Sequence, residues 1–369
     1  MGTRNIKRSL LVALASLVWS QVPGVSAATP SAEATILIDV SDGRTLSSHN
    51  PHKRRAIAST TKVMTALVVL EHSDPTETVH ISELAEQVGS DDPLVSEVDL
   101  VKGEVLTVEE LLYALLLPSA NDAAVALAEH VSGSVDGFVD EMNATAKDLD
   151  AFDSSFKNPH GLDAPGHYSS AHDLALMTRE AFKFPLFRKI VATPRSKIGG
   201  RELMNRNGLL ETYPSANGVK TGHTKTSGRS LIASAANSGE ELIAVVLGSI
   251  DPQKEARTLL EFGFQEYHRV TLTYKGKPWA TETYGDGRTA LLISDATVSL
   301  LVQKSDIQPV LDFDRKSQVL KAKTGRGSEV IQVPFHAACI RCVAAKRSRV
   351  VSSLWALLRP VAILMAELR

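Results

Sequence analysis

The sequence predicts an α+β fold: an antiparallel sheet flanked by helices, followed by a small all-β domain. Three observations carry that expectation. Strand-like runs stand at both ends of the first 270 residues, helical patterns are grouped between them, and after about Leu272 the chain turns to short β-type runs broken by Gly and Asp. Strands and helices segregated in this way indicate an α+β layer architecture rather than a repeating βα one.

The elements follow in chain order. "TILIDV" (35–40) and "SDGRTL" after it read as a strand and turn, with Asp42-Gly43 as the hairpin signal. Helical patterns occupy 58–71, 107–117, 121–132, 136–149 and 170–183. The helix at 58–71 is apolar on nearly every side and is therefore buried. Ser59 or Thr60 suits its N-cap, and Ser169 or Ser170 suits the cap of the helix that carries His172 and Asp173. "GRSLIASAA" and "ELIAVVLGS", joined by "NSGE", complete the antiparallel sheet, and "TALLIS", "VSLLVQ" and "EVIQVPF" supply the β domain.

A chain of 369 residues, 43% hydrophobic and 22% charged, has room for roughly two domains of ordinary globular composition. A net charge of −2 gives no reason to expect a nucleic-acid partner. The N-terminus carries Arg4, Lys7 and Arg8, an apolar run from Leu10 to Trp19, and small residues at 25–28. That is the layout of a secretory signal peptide, and the apolar run is too short to span a bilayer.

Near the C-terminus, Leu354, Trp355, Leu358, Val361, Met365 and Leu368 recur at helical spacing. Arg359 in mid-bilayer would cost about 2.5–3.5 kcal/mol, and Pro360 would kink a spanning helix. Lys346, Arg347 and Arg349 suit anionic headgroups, so an amphipathic helix lying in the membrane surface is expected. The organisation is then a signal peptide at 1–28, a catalytic domain at 29–270, a β-rich domain at 271–345 and a membrane anchor at 346–369. Cys339 and Cys342 alone cannot complete a zinc site, and no metal or cofactor is expected.

The buried helix poses a chemical question. Lys62 lies in its first turn, three residues after Ser59, yet lysine is almost never fully buried unless paired. Ser-x-x-Lys alone is weak, since it arises about once by chance in a chain of this size. A second copy at Ser154 and Lys157 falls on a loop. Two further elements add weight. Ser119-Ala120-Asn121 sits on a corner between two helices, where side chains can point into a cleft or simply cap. Lys220-Thr221-Gly222 opens a strand pattern.

Each element has a misplaced copy. Ser215-Ala216-Asn217 lies only five residues before Lys220, and Lys323-Thr324-Gly325 lies in the β domain. The set Ser59-x-x-Lys62, Ser119-x-Asn121, Lys220-Thr221-Gly222 matches in order and context the three motifs of the penicillin-recognising serine enzymes.

The chemistry explains the spacing. At i and i+3, Ser59 and Lys62 share a helix face, so a neutral Lys62 can take the serine proton. Burial and the like charge of Lys220 both lower the lysine pKa. Ser119 can relay protons to a leaving amine and Asn121 can hold a substrate amide. Lys220 and Thr221 suit a substrate carboxylate, and Gly222 lets backbone come close. The N–H groups of Ser59 and His223 can form an oxyanion hole.

At these residues the chain resembles the D-alanyl-D-alanine carboxypeptidases, the low-molecular-mass penicillin-binding proteins. "ASTTKVMTALVVLE", "LLYALLLPSANDAAVALAEH", "NPHGLDAPGHYSSAHDLALM", "NGVKTGHT" and "LLEFGF" extend the likeness over nearly the whole chain. The resemblance implies a serine β-lactamase/D,D-peptidase-like fold with an all-helical lobe carrying Ser119. It implies removal of the terminal D-alanine from peptidoglycan pentapeptide stems through an acyl-enzyme on Ser59, and acylation by penicillins. It also implies that His223 and Thr224 stand at the oxyanion hole.

Within the family, an endopeptidase cutting D-alanyl cross-links is the alternative. A class A β-lactamase would carry Ser-Asp-Asn and a deacylating glutamate; the nearest candidate, Glu202, lies 18 residues before Lys220 and lacks the expected Leu-Asn ending. A β-lactam sensor would need a spanning helix and an output domain, and an intact catalytic set argues against a purely docking protein. His160, Asp163 and His167 are expected to form a structural turn.

Overall fold

In a computed structural model of the protein, residues 31–88, 96–283, 289–303, 310–314, 319–324, 327–331 and 335–339 are described. The expected signal peptide at 1–28, the expected anchor at 346–369 and Cys342 lie outside the described residues.

A five-stranded antiparallel sheet is built from β1 (Ala34–Asp39), β2 (Thr45–His49), β3 (Ala216–Thr224), β4 (Gly228–Asn237) and β5 (Glu240–Ser249) in the order β2-β1-β5-β4-β3. The helices are α1 (Lys62–His72), α2 (Val108–Leu116), α3 (Asn121–Ser132), α4 (Val135–Asp148), α5 (Ala171–Ala181) and α6 (Pro252–Glu266), with shorter helical segments between them. Successive strand residues point to opposite faces. Accordingly Ile36, Ile38, Ile232, Ile243 and Val245 join one core with α1 and α5, while Leu37, Leu231, Leu242, Ala244 and Val246 join a second core with Leu260 of α6. Helices therefore cover both faces of the sheet, which is why β4 and β5 each carry an unbroken buried stretch at their centres. α2, α3 and α4 gather around α1 as an all-helical lobe.

Local chemistry sets the helix ends. Thr107 and Glu110 form a reciprocal capping box at the start of α2, and Ser170, rather than Ser169, caps α5 by accepting from Asp173 N. One expectation fails at α1. The helix does not begin at residue 58: Ala58–Thr61 form a 3₁₀ turn leading into α1, and neither Ser59 nor Thr60 caps. Thr60 Oγ1 instead donates to Ile57 O at 2.6 Å, and Thr61 Oγ1 to Ala58 O at 2.8 Å. The hydroxyls fasten the turn to the segment before it, which leaves the Ser59 side chain free of any structural duty.

Strand Tyr267–Thr273 pairs with Val298–Gln303 and crosses the boundary expected at 270/271. It is tied to the main sheet by Arg269, whose Nη2 donates to both carboxylate oxygens of buried Asp39 at 3.1 Å. Leu301, from the pairing strand, is buried in the second core. Two three-stranded antiparallel sheets follow, with Pro278–Thr283, Thr289–Ser294 and Phe335–Cys339 in one and Val310–Asp314, Val319–Thr324 and Gly327–Ile331 in the other. Lys323 and Thr324 belong to this second sheet and not to the main one.

Candidate active site

Three elements bring their side chains to one cleft: the 3₁₀ turn before α1, the corner before α3, and strand β3 at the sheet edge. The cleft encloses about 410 Å³ and is lined by Ser59, Ser119, Asn121, Thr221, Gly222, His223 and Thr224, joined by Arg206 and Arg229. Two expected site residues stand behind its surface. Lys62 is 0% exposed and Lys220 1% exposed.

The turn that carries Ser59 is held by backbone that approaches too closely for any side chain. A Cβ on Gly222 would fall 2.9 Å from Ile57 O and 3.2 Å from Thr60 N. A Cβ on Gly161, which has φ of +90°, would fall 2.0 Å from Ala58 O. Gly222 thus lets β3 come close to the turn that carries Ser59. Ala58 also adopts a left-handed conformation, with φ of +48°. For a non-glycine residue that is a strained backbone, fixed by what surrounds it.

The environment of Lys62 is the centre of the site. Its Nζ donates to Asn121 Oδ1 at 2.6 Å and to His160 O at 2.7 Å, and lies 3.2 Å from Ser59 Oγ. Burial first, then the charges of Lys220 and Arg206, hold its pKa well below the ordinary lysine value. A neutral amine has two N–H donors and one lone pair. The amide and peptide oxygens can only accept, so they take both donors and leave the lone pair for the serine hydroxyl. Burial also brings Lys220 down to about 7, with Arg206 adding to the effect.

Asn121 is held by its own backbone, which donates to Ser96 O at 2.7 Å. Buried Asp122 fixes the segment behind it by accepting from Val98 N at 3.0 Å and Leu100 N at 3.1 Å. Ser119 differs from every other polar group here. It is buried, its φ is +73°, and its Oγ has no hydrogen-bond partner among the described residues. It caps nothing, since α3 begins without a side-chain cap. A buried hydroxyl left unpaired is costly and points to a partner that arrives with a ligand.

Several expected placements differ in detail. Asn121 turns its Oδ1 to Lys62 rather than to the open cleft. Lys220 Nζ donates to Thr221 O at 2.9 Å from a buried position, so it does not stand out to meet a carboxylate. The loop read as a structural turn does more than turn. His160 supplies the second acceptor for Lys62, and Asp163 Oδ1 accepts from Thr224 Oγ1 at 2.9 Å. His167, brought down to about 4 by burial, is neutral. Its Nδ1 accepts from Lys157 N at 3.1 Å, so Nε2 carries the hydrogen and donates to Thr61 Oγ1 at 2.9 Å. His223 lies exposed at the mouth. Sequence reasoning missed Arg206, Arg229 and the His160 carbonyl. A carbonyl has no sequence signal, and neither arginine falls in a motif.

Comparison with known proteins places this geometry. The profile of the D-alanyl-D-alanine carboxypeptidase family matches residues 21–250. The D-alanyl-D-alanine carboxypeptidase DacF of Bacillus subtilis is 34% identical over 315 residues, covering 81% of this chain and 80% of that one. DacD of Escherichia coli, of the same description, is 34% identical over 326 residues, covering 82% and 84%. Among solved structures, penicillin-binding protein 5 from Haemophilus influenzae superposes with a TM-score of 0.74 at 30% identity, over 85% of this chain and 100% of that one. The Streptomyces K15 DD-transpeptidase gives 0.62 at 30% identity, over 65% and 100%.

Proposed function

The chain belongs to the D-alanyl-D-alanine carboxypeptidase family, a family of serine peptidases, and on that premise we propose how its residues release the terminal D-alanine of a peptidoglycan stem pentapeptide. The observation that carries the proposal is the position of Lys62, whose Nζ lies against Asn121 Oδ1, His160 O and Ser59 Oγ, so that in its neutral form the first two oxygens take its N–H donors and its lone pair faces the serine.

Ser59 Oγ attacks the carbonyl carbon of the penultimate D-alanine, and its proton passes to Lys62 Nζ. The resulting oxyanion is received by the backbone N–H groups of Ser59 and His223, each such donor being worth about 3 kcal/mol. The C–N bond then breaks. Lys62 returns the proton to the leaving amine through Ser119, whose buried hydroxyl has no other partner among the described residues. Asn121 is the orienter of Lys62. Lys220 keeps that base neutral, and Thr221, Gly222, His223 and Thr224 form the wall along which the peptide lies. In the second half-reaction water attacks the acyl ester while Lys62 takes its proton; the ester C–O bond then breaks and the proton passes to Ser59 Oγ, which frees the shortened peptide as its carboxylate.

A penicillin carries the same acylable carbonyl, but its leaving amine stays tethered, so the acyl-enzyme persists. The signal peptide at 1–28 and the interfacial helix at 346–369 belong to the same reading, an enzyme held at the outer face of the cytoplasmic membrane with the β-rich domain at 271–345 between anchor and site. Intact-mass spectrometry of residues 29–369 with benzylpenicillin, and separately with diacetyl-Lys-D-Ala-D-Ala, tests the mechanism. The expected result is one penicillin adduct and free D-alanine from the wild type, and neither from Ser59→Ala. An adduct on Ser59→Ala would remove Ser59 from the role.

A further inference from the structure

We propose that Arg55 is a positioning residue for the oxyanion hole, tying the chain segment that carries Ser59 to the turn behind His223; this rests on the acyl-enzyme reading above. The need for such a tie follows from the site. The two N–H donors come from separate elements, Ser59 from the 3₁₀ turn before α1 and His223 from the end of β3. β3 is an edge strand, paired with β4 alone, and His223 and Thr224 stand where that hairpin closes. The spacing of the two donors is therefore set by whatever joins the hairpin turn to the serine segment.

Arg55 lies four residues before Ser59, and its own backbone is fixed. Its N donates to Ser169 O at 3.0 Å, and its O accepts from Ser169 N at 3.1 Å. From there the side chain, only 9% exposed, reaches the hairpin turn. Nη2 donates to Ser227 O at 2.7 Å, while Nη1 lies 2.9 Å from Glu33 Oε2. Gly248 of β5 makes room for this, since a Cβ there would fall 2.4 Å from both terminal nitrogens. A guanidinium is planar and permanently charged, so its bond to a carbonyl is charge-assisted and its direction fixed.

Ser227 passes the constraint on. Its Oγ accepts from Thr224 N at 3.0 Å, and its own N donates to Thr224 Oγ1 at 3.0 Å. Thr224 directly follows His223, so the path from the serine segment to the second donor runs through Arg55, Ser227 and Thr224. A second tie exists on the other side. Thr224 Oγ1 donates to Asp163 Oδ1, whose loop packs on Ala58 at Gly161. That contact reaches solvent through the exposed Asp163, whereas the bond from Arg55 is sheltered and correspondingly stiffer.

The test measures acylation by benzylpenicillin in the full mature chain and its Arg55→Ala and Arg55→Lys variants, separating binding before acylation from the acylation step. The lysine variant keeps the stem and the charge, and so remains informative if the alanine variant does not fold. Arg55→Ala should slow the acylation step about 10- to 100-fold, the lower part of what loss of an oxyanion donor costs, with prior binding changed less than about threefold. Arg55→Lys should lose less. The spectroscopic readout is the ester carbonyl stretch of the acyl-enzyme, by infrared difference with isotope-labelled β-lactam carbonyl. It is expected to rise in frequency from wild type to Arg55→Lys to Arg55→Ala, as hydrogen bonds to the carbonyl lengthen. Lower stability with an unchanged acylation rate, or slower acylation with an unmoved carbonyl band, would overturn the role of Arg55 and leave the serine mechanism intact. Failure of the wild type to form the acyl-enzyme would overturn both.

Discussion

The base proposed for this site is Lys62, and what suits it to that role is everything around it. Burial alone would lower the pKa of Lys62, but Lys220 and Arg206 add the repulsion of like charges. Arg206 acts on both lysines, since its charge lowers Lys220 as well. Removing a positive neighbour raises the pKa of a lysine, so a higher pH is then needed to keep Lys62 neutral. Arg206→Ala is therefore expected to shift the acid limb of penicillin acylation toward alkaline pH while leaving the alkaline-side rate nearer the wild-type value. The pH dependence of the second-order acylation rate with benzylpenicillin reads this directly; an unmoved acid limb would show that Arg206 has no part in tuning the base.

At the scale of elements, the site is a meeting of three backbones with almost no space between them. Gly161 is the tightest contact, where an added Cβ would collide with Ala58 O at 2.0 Å and with Thr61 Oγ1 at 2.8 Å. Gly161→Ala should cost about 2–4 kcal/mol in urea denaturation and slow acylation as well, because relief of the clash moves the turn that carries Ser59. Loss of stability with an unchanged acylation rate would mean that the loop braces the fold and not the nucleophile. These elements differed in how far they could be read from the chain. The helices were legible because their apolar periods are strong, as at 121–132 and 170–183, although the cap of the latter was narrowed only to Ser169 or Ser170 and the Thr107–Glu110 capping box went unread. Ser59, Lys62, Ser119 and Lys220 were legible through spacing. The 3₁₀ break at 58–61 was not, because it is imposed by the packing of Gly161 and Gly222 from about 100 and 160 residues away. The role of His160 was hidden for a related reason, since its contribution is a peptide oxygen that any residue would supply.

For the molecule as a whole, one ion pair joins the main sheet to the strand that leads onward into the β-rich region. Asp39 is fully buried, and Arg269 meets both its carboxylate oxygens. Arg269→Ala would leave that charge without its cation, although Ser41 still donates to it from backbone and side chain. The expected loss is about 3 kcal/mol, measured by thermal or chemical denaturation, with acylation by penicillin unaltered in the folded enzyme. If stability were unchanged, the pair would be ornamental and the strand would be held by Leu301 and its apolar neighbours instead.

The left-handed backbone at Ala58 and Ser119 also bears on how this enzyme could be engineered for endurance. A glycine at either position would adopt the observed dihedrals without penalty, and on backbone energetics alone each is an obvious place to seek a hardier protein. Both flank the chemistry. Glycine at 58 would loosen the turn that carries Ser59, and glycine at 119 would delete the buried hydroxyl proposed to pass a proton to the leaving amine. Heat tolerance in this scaffold is better sought in the outer loops, because at these two positions the conformational tension is what keeps the reacting groups aimed.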